Sequence, residues 1–168
     1  MKKLLIVLFS IFAMANANAA TLTADAGWSE FDFSGTGSAW TDTFTFTITQ
    51  ASTLTVTDAF QSGDIFEVFA GASSLGLTST PTGVLGQQIS SNYDAAAASS
   101  DWSTGMWTFL AGTYTISGIV FDSPFNFGSA ALRLDTGVSA VPVPAALFLF
   151  APALLGFLGL RRKVTTIA

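Results

Sequence analysis

The sequence predicts an all-β protein, an antiparallel β-sandwich of jelly-roll-like type followed by one C-terminal transmembrane helix. Three observations support this fold class. Apolar residues alternate with Thr along several short stretches, a period of two that no amphipathic helix shows. Turn residues separate those stretches. Near the C-terminus, the sixteen residues 145–160 carry no charge, and three basic residues follow them.

The clearest strand is TDTFTFTIT (41–49), in which three apolar residues share one face and Thr residues share the other. The stretch DIFEVFAG (64–71) alternates in the same way, with Phe66 and Val68 on one face. Short stretches with this spacing and no long helical period are typical of a sandwich or jelly roll. The other predicted strands are WSEFDF (28–33), STLTVTD (52–58), GMWTFLAG (105–112), GTYTISGIVFD (112–122) and SAALRLD (129–135).

Three local features refine this prediction. Gly118 interrupts the alternation of its strand and predicts a β-bulge. The stretch NYDAAAASSD (92–101) favours a helical turn. Trp40, Trp102 and Trp107 are assigned to the core or to strand edges, because burial is the usual place of so large an apolar side chain.

Composition limits the chemistry of the chain. The 168 residues leave room for one domain plus targeting segments. The chain has no Cys and no His, which excludes disulfides, Cys-ligated metals and a Ser–His–Asp triad. Between residues 20 and 140 there are eleven acidic residues and one basic residue, Arg133, so this stretch carries a formal charge of −10. Such a charge repels phosphates, and nucleic acid is not an expected partner.

The N-terminal stretch MKKLLIVLFSIFAMANANA has the pattern of a secretory signal peptide. Two lysines precede an apolar run, and the small residues Ala17 and Ala19 mark a cleavage site after Ala19. We therefore expect residues 1–19 to be a signal peptide and residues 20–138 to form the sandwich. The expected partners are the secretion machinery and signal peptidase.

The uncharged run near the C-terminus predicts a short membrane span. As a helix, residues 145–160 would be roughly 24 Å long, against about 30 Å of hydrocarbon in a bilayer. Arg161, Arg162 and Lys163 would remain cytoplasmic under the positive-inside rule. A buried core helix is the alternative, but the run has no polar face and ends in the basic cluster.

The segment Val141-Pro142-Val143-Pro144-Ala145-Ala146, with the apolar run and basic cluster behind it, resembles the PEP-CTERM sorting signal of Gram-negative bacteria in its VPLPA-type variant. The resemblance covers about residues 139–163, and we assign residues 139–168 to the signal. It implies that an exosortase, a membrane protease–transpeptidase, removes the tail during export. Val143 departs from the pattern, because the commonest motif has Glu at this position and the variant has Leu.

The resemblance also implies a location and a role. The precursor would be held transiently in the inner membrane, and the mature protein would reach the cell surface or the extracellular matrix. We expect a structural surface or biofilm protein with a non-catalytic sandwich and extracellular polysaccharide as a partner. Residues 54–79 and 109–125 resemble small sandwich ectodomains of PEP-CTERM proteins and, more distantly, prepeptidase-C-like accessory domains, which implies a binding or structural module.

Asp58, Asp64 and Glu67 form the candidate metal site. Asp58 ends one predicted strand and Asp64 begins the next, and Asp122 is a further candidate. Carboxylate oxygens suit Ca²⁺, although the spacing is not that of an EF-hand loop. The alternative is ordinary turn chemistry, in which Asp accepts hydrogen bonds from nearby amides. A Ca²⁺-dependent carbohydrate-binding surface module is therefore the alternative function, and no other cofactor is expected.

The same carboxylates could be compared with a glycosidase pair. Nothing in the sequence raises one pKa or supplies a sugar cleft, so we predict that the protein is not an enzyme. Trp28, Tyr93 and Trp102 lie near polar turns and are candidates for stacking on sugars, with packing in the core as the alternative.

Overall fold

The structure, a computed structural model, describes residues 18–137. In this part of the chain, two β-sheets pack face to face. They confirm the predicted β-sandwich. The strands are β1 (Asn18–Thr21), β2 (Ser29–Ser34), β3 (Asp42–Ile48), β4 (Ser52–Asp58), β5 (Phe60–Gln61), β6 (Ile65–Ala70), β7 (Ser73–Leu77), β8 (Gln88–Ser90), β9 (Thr104–Phe109), β10 (Gly112–Asp122) and β11 (Phe127–Thr136), and the helix is α1 (Tyr93–Ala97). Four short strands, β1, β5, β7 and β8, were not predicted.

The strands are shared between a five-stranded sheet in the order β1-β3-β10-β6-β7 and a four-stranded sheet in the order β2-β11-β4-β9, and β5 pairs with β8 separately. The pairings are antiparallel except for β1, which runs parallel to β3. The main strands mostly alternate between the two sheets along the chain, and the β6–β7 hairpin stays within one. Partners are therefore far apart in sequence, a topology that folds slowly.

Aromatic side chains fill the space between the sheets. The ring of Phe31 on β2 stacks on Trp40 with 3.9 Å between centroids. Phe66, on β6 of the opposite sheet, meets Phe31 edge-on at 5.6 Å and Trp40 at 6.1 Å. All three side chains are buried. Each such aromatic pair adds about 0.5–1.5 kcal/mol beyond the burial of its area, so this cluster binds one sheet to the other.

Gly118 does not form the predicted bulge. It pairs regularly with Val68, and the irregularity of β10 lies further along, between Val120 and Asp122. A Cβ at position 118 would overlap the indole ring of Trp40, whose backbone N–H donates to the Gly118 carbonyl at 3.0 Å. The glycine is there because the tryptophan ring lies flat against the strand.

A second, smaller cluster covers the outer face of the four-stranded sheet. Ala131 follows the inward-facing Ala130 on β11 and so points away from the main core, toward Tyr93, Ala96 and Trp102. The helix α1 confirms the predicted helical turn, and Asn92 accepts a hydrogen bond from the Ala95 N–H at 3.3 Å as its N-cap.

The three tryptophans assigned to the core or to strand edges occupy such positions. Trp40 and Trp102 are buried, and the half-buried Trp107 on β9 donates its indole N–H to the Leu75 carbonyl at 2.8 Å.

The predicted transmembrane helix over 145–160 lies outside the described residues. Between residues 18 and 137, the structure contains no helix that is both long and apolar enough to cross a membrane.

We predict that Gly118→Ala lowers the free energy of unfolding by about 1–3 kcal/mol, because the added methyl group forces Trp40 out of its place against the strand. Urea denaturation measures the loss. Ser117→Ala, on the neighbouring and partly exposed position of β10, is the control and should change stability by less than about 0.5 kcal/mol. A Gly118→Ala protein as stable as the wild type would contradict the assignment.

Candidate functional site

A cavity of about 510 Å³ lies beside the connection between β4 and β6. Three aromatic side chains, Phe60, Phe125 and Phe127, line it together with polar groups that include Asp64 and Ser90. Its volume falls in the range of about 300–1,000 Å³ that small-molecule sites occupy. The lining residues come from three separate parts of the chain, 59–64, 88–90 and 125–129.

Two of the lining residues have an unusual backbone. Phe60 has φ of 60° and Ser90 has φ of 57°, and the two residues face each other in the β5–β8 pair. A positive φ is rare for a residue with a bulky side chain and costs on the order of 1–3 kcal/mol. Residues held in this way cluster at functional sites, so the backbone marks this cavity independently of its shape.

Asp58 is fully buried at the end of β4. The alternation that turns Leu54 and Val56 into the core also turns Asp58 inward. Its Oδ2 accepts hydrogen bonds from the backbone N–H groups of Gly63 at 3.1 Å and Asp64 at 3.2 Å. Asp58 therefore does what the turn interpretation of the sequence predicted, holding the connection to β6 in place.

Asp64 faces inward with Phe66 and Val68 and is 3% exposed, and it also lines the cavity. Within residues 18–137, neither Asp64 Oδ1 nor Asp58 Oδ1 has a hydrogen-bond partner. A buried carboxylate oxygen without a donor is costly, and native structures contain few of them.

Burial changes the acidity of both groups. It raises the pKa of Asp58 to about 8, with the nearby carboxylate of Asp64 contributing in the same direction. Burial likewise raises the pKa of Asp64 to about 6, opposed by the Ser123 hydroxyl and assisted by the charge of Asp122. Asp58 therefore holds its proton more tightly than Asp64 does.

The structure thus brings Asp58 and Asp64 together, with Asp122 close to Asp64. Glu67 is not with them. It lies on the opposite face of β6 from Phe66, where it accepts a hydrogen bond from Ser74 Oγ at 2.7 Å. Across residues 18–137 there is no group of three or more His, Cys, Asp or Glu side chains placed to hold a metal ion.

The aromatic residues considered for sugar stacking are not free to stack. Tyr93, the first residue of α1, and Trp102 are both buried in the smaller cluster, and Tyr93 donates to Glu30 Oε1 at 2.6 Å. Trp28 is half-buried, and the guanidinium of Arg133 lies 4.5 Å from the centre of its ring. The packing alternative therefore holds for Tyr93 and Trp102, whose neighbours come from distant segments of the chain.

Most of the predicted targeting residues lie outside the described part of the chain. These are Ala17, the motif from Val141 to Ala145, and the basic residues Arg161, Arg162 and Lys163. Ala19 is described and belongs to β1, where it pairs with Thr43.

Comparison with known proteins adds little. No protein-family model and no curated protein matches the chain. Among solved structures, the chain is similar to the pre-peptidase C-terminal domain of collagenase from Bacillus anthracis, with a TM-score of 0.39 and 13% identity over 70% of this chain and 93% of that chain. A similarity of this size carries no argument about function.

The sequence did not predict this cavity. The signal that could have found it is a set of aromatic residues inside turn segments, Phe60 in AFQSGD and Phe125 and Phe127 in SPFNFG. Turns are usually built from Gly, Pro, Asn, Asp and Ser, so large apolar side chains there are unusual.

We predict that Asp58→Asn removes much of the pH dependence of stability between pH 4 and pH 8. A folded-state pKa of about 8 means that the stability from protonated Asp58 is complete below its unfolded value near 4 and is lost as the pH rises through 8. Each pKa unit corresponds to about 1.4 kcal/mol, so the loss in the wild type amounts to several kcal/mol.

Urea denaturation at pH 4, 6 and 8 measures the effect. The side-chain amide introduced by Asp58→Asn keeps an oxygen for the backbone N–H groups of Gly63 and Asp64, so this variant should fold, whereas Asp58→Ala should be destabilised at every pH. An Asp58→Asn variant with the pH profile of the wild type would contradict the prediction.

Proposed function

We propose that the protein is an exported, exosortase-sorted component of the cell surface or extracellular matrix, with a non-catalytic sandwich of jelly-roll-like type. The observation that carries the proposal is the order of three segments along the chain. A signal-peptide pattern, a β-sandwich and a PEP-CTERM-like tail follow one another, and all described strands lie between Asn18 and Thr136. Loss of the tail would take away none of these strands.

The last strand ends in a way that suits a removable tail. Asp25 accepts hydrogen bonds from the backbone N–H of Thr136 at 2.9 Å and from its hydroxyl at 2.7 Å. The Gly137 N–H donates to the Ala51 carbonyl at 2.9 Å. These bonds fasten the end of β11 to the sandwich immediately before the predicted sorting segment begins at 139.

Signal-peptide cleavage would trim the sandwich slightly. Removal of residues 1–19 would leave Ala20 and Thr21 of β1, which pair with Phe44 and Thr45 on β3. The Leu22 N–H also donates to the Thr45 carbonyl at 2.8 Å, and the buried Leu22 side chain belongs to the core. The mature chain would therefore keep its N-terminal attachment through residues 20–22.

A non-catalytic role is supported by the position of the carboxylates. Hydrolysis of a glycoside takes two carboxyl groups that both reach the substrate. Asp64 borders the cavity, whereas Asp58 is fully buried behind the turn and uses one oxygen to hold the Gly63 and Asp64 amides.

The sorting proposal predicts that the double substitution Pro142→Ala with Pro144→Ala blocks removal of the tail. The wild-type protein expressed in its own host should be recovered from the surface or medium as a species that begins near Ala20 and ends near the 141–144 motif. The variant should keep Arg161 to Ala168 and stay in the membrane fraction. Intact-mass spectrometry of separated membranes and medium distinguishes the two species.

Pro152→Ala is the matched control, because it removes a proline from the apolar run and leaves the motif untouched. It should be processed like the wild type. Recovery of wild-type protein only in membranes, with its basic tail intact, would refute sorting and indicate a lasting anchor.

The alternative function is a Ca²⁺-dependent carbohydrate-binding module. The proximity of Asp58 and Asp64 supports it, whereas Glu67 lies on the other face of β6 and does not. It predicts a rise in melting temperature on addition of millimolar Ca²⁺ that disappears when Asp58→Asn and Asp64→Asn are combined. An unchanged melting temperature in the wild type would eliminate this alternative.

A further inference from the structure

Asp64 is the acidic side chain of the cavity, and the one basic residue of the sandwich, Arg133, is paired with other carboxylates. Asp64 is 3% exposed and lines the cavity, and within residues 18–137 no donor reaches its Oδ1. A carboxylate in this state is stabilised most effectively by a cation or a strong hydrogen-bond donor. The question is where such a group could come from.

The sandwich brings the Ser123 hydroxyl to Asp64, but it supplies no cation. Arg133 is the only basic residue between positions 20 and 137. Its guanidinium is held on the outer face of the four-stranded sheet by Asp94 at 2.6 Å and Asp135 at 2.7 Å, and it lies over the ring of Trp28. Among residues 18–137, therefore, no basic group is placed to complement Asp64.

The shape and lining of the cavity distinguish an organic cation from a metal ion. A metal needs several oxygen ligands within about 2.6 Å, and the described residues 18–137 hold no group of three acidic side chains placed for this. The cavity of about 510 Å³ is far larger than an ion, and Phe60, Phe125 and Phe127 line it. Aromatic faces attract ammonium groups and cover apolar stems.

We propose that this cavity binds an organic ammonium ion, with the ammonium group at Asp64 and the apolar or sugar body against Phe60, Phe125 and Phe127. The recognised group is a primary ammonium on a carbon body, which free amines, amino sugars and lysine side chains share. The site lies wholly in the sandwich, so the inference does not depend on sorting of the tail.

The ionisation of the neighbouring carboxylates adds a pH signature. The titratable groups nearest Asp64 are Asp58 at the end of β4 and Asp122 at the end of β10. Asp32 lies further away and accepts a hydrogen bond from the hydroxyl of Ser129, a cavity residue, at 2.5 Å. Since the pKa of Asp64 is about 6, its charged fraction falls about tenfold between pH 7 and pH 5. Affinity for an ammonium ion should fall by a similar factor.

The test is calorimetric titration of the full-length chain at pH 7 in a polyoxyethylene detergent, which carries neither an amine nor a sugar. The probes are cyclohexylammonium, glucosamine and an Nα-acetyl-lysine amide. Cyclohexanol is the uncharged analogue of cyclohexylammonium and serves as the control. Cyclohexylammonium should bind at least tenfold more tightly than cyclohexanol. The preferred probe of the three identifies the source of the ammonium group.

Two pairs of variants assign the site. Asp64→Asn should weaken binding of cyclohexylammonium at least tenfold, and its control Glu67→Gln should change it less than twofold, because Glu67 is on the other face of β6. Phe127→Ala should weaken binding about threefold or more, since aromatic contacts with a cation are worth about 0.5–1 kcal/mol at exposed sites. Its control is Phe121→Ala, which removes an exposed ring that does not line the cavity.

Phe127 is 79% exposed, so its replacement leaves the fold intact even if Asp64→Asn does not fold. Equal binding of cyclohexanol and cyclohexylammonium would overturn the proposal in favour of an apolar or neutral-sugar site. It would also be overturned if no ammonium probe bound at 10 mM, or if neither Asp64→Asn nor Phe127→Ala weakened binding. Each of these results leaves the processing experiment unaffected.

Discussion

The stack of Trp40 on Phe31, closed from the opposite sheet by Phe66, is the contact on which the rest of the sandwich depends. The chain has no cysteine, so apolar packing must hold its two sheets together without a covalent link. Gly118 makes room for the indole, and the same stretch of β10 pairs with β6. The position of β6 then fixes Asp64 at its start, so the core and the cavity share one framework.

The residues around the cavity include features that lower the stability of the sandwich. Asp58 on β4 and Asp64 just before β6 face inward like the apolar residues that alternate with them, and no donor from residues 18–137 reaches one oxygen of each. Phe60 and Ser90 add backbone strain next to them. Buried polar groups and backbone strain of this kind often accumulate at functional sites, where a bound ligand can offset their cost.

Much of the fold followed from the sequence, and the reason is local periodicity. The alternation in β3, β4, β6 and β10 predicted the strands and their inward faces, and it also placed Glu67 on the face opposite Phe66. The strands β5 and β8 have two and three residues, too few to show any period. Gly118 was assigned to a bulge because glycine interrupts a pattern in the same way whether the strand bends or a neighbouring ring approaches.

The sequence by itself determined the strand content, the inward faces, the strongly acidic sandwich and the signals predicted at both ends, because each of these is a property of neighbouring residues. Only the tertiary structure decided that Asp58 meets Asp64 without Glu67, that Tyr93 and Trp102 are buried, and that Phe60 and Phe127 line one cavity with Asp64. These groupings join segments separated by tens of residues. Strand pairing and the packing of the two sheets set them, and no local pattern records either.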